Sequence, residues 1–63
     1  MDKLEILEKK IKENIKSTIE ISNMINKDIE DSEQYQGYCH KTVFIMNVLL
    51  DDIEVYKEKL NLK

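Results

Sequence analysis

Residues 28–34 read DIEDSEQ, and whether the chain folds back at this segment decides its architecture. Asp31 or Ser32 can cap a new helix, with Gln34 three residues after Asp31 as the partner in a capping box. Upstream, Leu4, Leu7, Ile11, Ile15, Thr18, Ser22, Ile25 and Ile29 recur at steps of three and four. At about 100° per residue they line one face of a helix. Downstream, Tyr35, Cys39, Thr42, Met46, Leu49, Ile53 and Leu60 form a matching stripe, flanked by Val43, Leu50 and Tyr56.

An antiparallel hairpin that turns at Ser32 brings together residues whose numbers add to about 64. Leu4 then meets Leu60, Ile11 meets Ile53, Ile15 meets Leu49 and Thr18 meets Met46. Further toward the turn Ser22 meets Thr42, Ile25 meets Cys39 and Ile29 meets Tyr35, while Leu7 falls between Tyr56 and Lys57. A reversal at Gly37, with glycine ending the first helix, pairs Ile29 with Ile45 but strands Leu4, Leu7 and Ile11. The turn at 31–33 is therefore preferred, giving a single helical hairpin over 1–63 with helix 3–30, turn 31–33 and helix 34–61. Gly37 then sits inside the second helix, at a cost of about 1 kcal/mol relative to alanine.

The absence of proline and the single glycine agree with helix throughout. A chain of 63 residues stabilises one core only marginally and usually needs a staple or a partner. One cysteine cannot close an internal disulfide, and no repeated Cys/His pairs offer a structural zinc site. Association remains. The expected fold class is all-α, a two-helix antiparallel hairpin dimerising into a four-helix bundle, with a homodimer as the most economical form. Thr18, Ser22 and Thr42 would form a small, partly polar central layer.

A net charge of −3 gives no strong field for nucleic acid or anionic lipid. The longest apolar run, VFIMNVLL, is interrupted by Asn47 and too short to span a bilayer. MDKLEILEKK lacks the apolar centre of a signal peptide, and the lone cysteine suits a reducing compartment. A cytoplasmic location and no membrane partner are expected.

Candidate chemistry is sparse. Cys39 and His40 are adjacent, so on a helix they point about 100° apart and converge poorly on one atom. Asp51, Asp52 and Glu54 read as a solvated face, because two helices offer little cleft to shift their pKa values. No catalytic, cofactor-binding or metal-ligating residue is assigned, and no enzyme activity is expected.

The second helix carries more apolar surface than one seam requires. Phe44, Val48 and Val55, continued by Leu62, form a second line nearly opposite Met46 and Ile53, bordered by Lys41, Asp51, Asp52 and Lys59. Either a dimer buries this strip or a larger protein docks on it. The leading expectation is a non-catalytic interaction protein, a small regulator, inhibitor or adaptor of the kind common on phages and mobile elements. A different class uses Lys9, Lys12, Lys16 and Lys27 as a nucleic-acid-binding face, although Glu5, Glu20 and Glu30 share it and no arginine is present. A third is a structural piece of a larger assembly.

The length and hairpin format resemble the plasmid copy-number RNA-binding proteins of the Rop type, which form dimeric four-helix bundles. That likeness is one of overall shape, since the aromatic and basic face of their first helix has no counterpart here. NVLLD, residues 47–51, is similar to the Ser-Gln-Glu-Leu-Asp motif of hairpin phosphatases acting on sporulation regulators only at Leu50 and Asp51. Neither resemblance implies a site residue.

Overall fold

The computed structural model describes residues 2–61. Two helices account for most of them: α1 spans Lys3–Met24 and α2 spans Ser32–Asn61, and no strand occurs among the described residues. They pack side by side as a hairpin 53 Å long, 19 Å wide and 10 Å thick between Cα atoms.

Asp2 starts α1. Its carboxylate accepts the Leu4 backbone N–H at 3.1 Å, and its carbonyl takes the first helical bond, from the Ile6 N–H at 3.1 Å. Glu5 in the first turn adds negative charge where the helix dipole is positive.

The first helix ends at Met24, not at residue 30 as the apolar spacing suggests. Local polar competition is the cause. Asn26 turns its Oδ1 onto the Asp28 N–H at 3.0 Å, and its carbonyl accepts from Ile29 N–H at 3.1 Å. Asparagine and aspartate favour such turns over helix continuation. Ile25 is extended (φ −80°, ψ 112°), so Ile25 and Ile29 leave the helical stripe. The reversal thus occupies residues 25–31 and not 31–33, and α2 begins at Ser32.

Asp31 closes the connection in the left-handed region, at φ 61°. An aspartate tolerates that conformation better than most residues. Its carbonyl receives the Tyr35 N–H at 3.1 Å, the first bond of α2. Gln34 does not complete a capping box: its amide donates to the Tyr38 hydroxyl at 2.6 Å. The end of α1 is instead satisfied from across the turn. Gln36 Nε2 donates to the Ile25 carbonyl at 2.8 Å and to the Ser22 carbonyl at 3.3 Å.

The core is a thin line between the helices. Ile11 and Ile53 are the buried hydrophobic residues, at 5% and 8% exposure, and they occupy the level where numbers add to 64. Thr18 is buried with them and meets its hydrogen-bonding needs inside α1, its Oγ1 donating to the Asn14 carbonyl at 2.8 Å. Ser22 and Thr42 are half-buried, and Thr42 also bonds within its own helix, to the Tyr38 carbonyl at 2.9 Å. Near the open end Lys57 reaches Glu8 at 2.7 Å, which fixes an antiparallel register one residue from the Ile11–Ile53 level.

Gly37 lies inside α2 with an ordinary negative φ, and a Cβ built there meets nothing within 4 Å. Gly37→Ala is therefore expected to stabilise the fold by about 1 kcal/mol, read as a higher urea midpoint. A loss of stability would place a glycine-dependent turn there. Gln36→Ala removes both bonds that tie α2 to the end of α1. It should cost about 1–2 kcal/mol and speed amide exchange around Ile25.

Candidate functional site

The sequence-derived docking strip lies on the outer edge of α2, turned away from α1. Phe44 is 69% exposed, and Val48 and Val55 are each close to half exposed. Steps of four and seven keep the three on one narrow line of the helix. Leu62, the expected continuation, lies outside the described residues. Beside Phe44 a shallow, largely apolar hollow is lined by His40, Lys41, Phe44 and Ile45. The Lys41 ammonium stands 6.0 Å from the centre of the Tyr38 ring, at the outer limit of a cation–π contact. Apolar centre and charged border thus adjoin at this end of α2.

The four lysines of the alternative face do not stay together. Lys9, Lys12 and Lys16 follow one another along α1, where Glu5, Glu8 and Glu13 share the same surface. Lys27 belongs to the connection, because α1 stops at Met24, and it no longer extends that helical face.

Cys39 is half-buried and His40 is exposed on the neighbouring position of α2. Among the described residues no three His, Cys, Asp or Glu side chains gather as a metal ion would require. A broad hollow follows the connection, lined by Asn26, Lys27, Glu30, Asp31 and Gln36 among others. Its acids and lysine are carried on a short, open turn rather than inside a cleft. Among the described residues no helix is long and apolar enough to cross a membrane.

One feature escaped the sequence. Beyond the outer strip, Leu7, Ile21, Ile45, Leu49 and Tyr56 are also exposed, so apolar surface extends over more of the hairpin than one edge. The apolar spacing assigns Leu7 and Leu49 to the seam and Tyr56 to its flank, whereas all three are exposed. The signal was the width of the apolar sector in α2, which exceeds what a single neighbouring helix can cover.

The geometry defines a class, a small helical hairpin with exposed apolar surface. No known protein family, characterised protein or solved structure matches the chain.

The Glu8–Lys57 pair has a measurable electrostatic signature. The hydrogen bond that Lys57 donates to Glu8 holds its ammonium above the ordinary pKa of 10.5, with Glu5 and Asp2 adding to the same effect against partial desolvation. A group whose pKa is raised by folding contributes stability in full below its unfolded pKa and loses it as pH rises through the folded value. The stability difference between wild type and Lys57→Met should hold from pH 7 to 10. It should then shrink as pH rises past 10.5 and through the higher pKa of the folded state, as urea melts across that range would record.

Proposed function

We propose that this chain is a small non-catalytic interaction module that works as a dimer of helical hairpins in the cytoplasm. As a regulator, inhibitor or adaptor, it acts by occupying a surface of a larger protein. The observation that carries this proposal is the outer edge of α2. Phe44, Val48 and Val55 stand exposed in a row on a hairpin whose buried hydrophobic residues are Ile11 and Ile53. Lys41, Asp51, Asp52 and Lys59 border them on the same helix.

Apolar side chains held in water raise the free energy by roughly 25 cal/mol per Å2 of surface that a partner would cover. A helix presents such a row on a rigid rod, so a partner groove can take it with little ordering cost. The charged border opposes non-specific association and sets orientation. The lysine surface gives nucleic acid less support, because the interleaved glutamates repel phosphate and no aromatic side chain stands among them to stack on bases.

Affinity capture from the native host with nuclease-treated lysate tests the proposal. Phe44→Asp should reduce retention of the bound protein by about 100-fold or more, as loss of a central apolar anchor does. Sedimentation and circular dichroism should meanwhile show an intact helical dimer. If Phe44→Asp instead unfolds the dimer, the strip is bundle core. If Lys9→Glu with Lys16→Glu abolishes binding and the salt dependence is steep, the partner is nucleic acid. Open-ended oligomers would indicate a structural assembly piece.

A further inference from the structure

The Glu8–Lys57 bond shows which sides of the two helices coincide. Counted round α1 from Ile11, Glu8 lies about 60° to one side and Leu7 about 40° to the other. Counted round α2 from Ile53, Lys57 lies about 40° to one side and Tyr56 about 60° to the other. Because Glu8 and Lys57 meet at 2.7 Å, Leu7 and Tyr56 share the opposite broad face of the hairpin. Steps of seven drift by only about 20°. They carry that face from Leu7 through Asn14 to Ile21, and from Tyr56 back to Leu49, with Ile45 alongside. All six side chains are exposed, whereas Ile15, Val43 and Leu50 toward the bridged face are half-buried.

Leu7, Ile21, Ile45 and Tyr56 are placed symmetrically on this face, with Leu49 between the two of them on α2. Leu7 and Ile21 are equally far from Asn14 along α1. The register set by Ile11–Ile53 and Glu8–Lys57 puts Asn14 level with Leu50 and Asp51, midway between Ile45 and Tyr56. A two-fold axis at that level, lying in the plane of the face and running across both helices, lays Leu7 on Ile21 of a second copy. The same operation lays Ile45 on Tyr56 and Asn14 on Asn14. Such self-matching is what an isologous dimer requires, since each contact must recur with its partners exchanged.

We propose that a second copy of this chain seats on this face, with the two Asn14 side chains at the centre. The proposal rests on the dimer invoked above and specifies its seam. Where both helices lie side by side the face follows the 22 residues of α1, roughly 33 Å, and with the 19 Å width it outlines about 600 Å2, approaching the roughly 800 Å2 per partner of a stable interface. Asn14 Oδ1 already accepts from Thr18 Oγ1 at 3.2 Å, which leaves its amide N–H groups for the other copy. One polar pair in an otherwise apolar seam favours a single register, because sliding would bury those groups without partners. The outer edge with Phe44 lies outside the seam and remains free for a different protein.

Disulfide trapping of the full chain tests the seam in a Cys39→Ser background. Asn14→Cys should give about tenfold more covalent dimer than Phe44→Cys under mild oxidation, because assembled partners meet at millimolar effective concentration. Circular dichroism establishes that both variants remain helical. Ile45→Glu should shift sedimentation from dimer toward monomer. A chain that sediments as a helical monomer at every concentration overturns both the seam and the dimer. A dimer that cross-links equally through both cysteines, or better through Phe44→Cys, overturns the seam alone and leaves the interaction module standing.

Discussion

Two helices lying side by side can keep from water only the residues along the line where they meet. Every other property of this chain follows from that limit. Ile11, Ile53 and Thr18 fill the line, and the large apolar side chains to either side of it stay at least partly wet. Thr18 illustrates how narrow the margin is. A hydroxyl in so small a core would cost stability if it depended on a cross-helix partner, and it avoids this by bonding to Asn14 one turn back. The hairpin is therefore coherent in shape while its burial falls short of what independent domains of this size need.

Polar ties sit at the two ends and the apolar contact lies between them. At the turn, Gln36 reaches back to the last carbonyls of α1; at the open end, Lys57 reaches Glu8. Together they define an antiparallel alignment that the apolar stripes alone would fix less firmly, because leucine and isoleucine accept neighbouring registers at modest cost. The unequal helix lengths, 22 and 30 residues, fit the same scheme. The opening turns of α2 stand opposite the connection rather than opposite helix, and Gln36 makes that stretch part of the fold.

Surfaces of different character result. The bridged face is partly closed by the Glu8–Lys57 pair and the half-buried Val43 and Leu50. The opposite face carries Leu7 and Ile21 to either side of Asn14, with Ile45, Leu49 and Tyr56 beside them, and the outer edge of α2 is a narrow row led by Phe44. Convergent chemistry needs groups aimed at one point from several directions, and two rods lying side by side aim most of theirs apart. Binding makes no such demand. A rod can present a row of side chains without enclosing anything, which is all that the proposed recognition role asks of it.

The alternation of apolar and polar residues in the sequence was enough to predict two helices, their antiparallel sense and the Ile11–Ile53 level. Those depend on a repeat of 3.6 residues and on pairing two stripes, both of which can be counted. The position of Phe44, Val48 and Val55 on the side of α2 away from α1 followed from the same count. The end of α1 did not, because Ile25 and Ile29 continue the apolar spacing while Asn26 and Asp28 stop the helix through short-range hydrogen bonds that spacing does not register. Nor did the reach of Gln36 across the turn, or the division of the wide apolar sector of α2 into seam, broad face and outer edge. Those depend on where the neighbouring helix lies in space, and only the tertiary structure determines which side of a residue that neighbour covers.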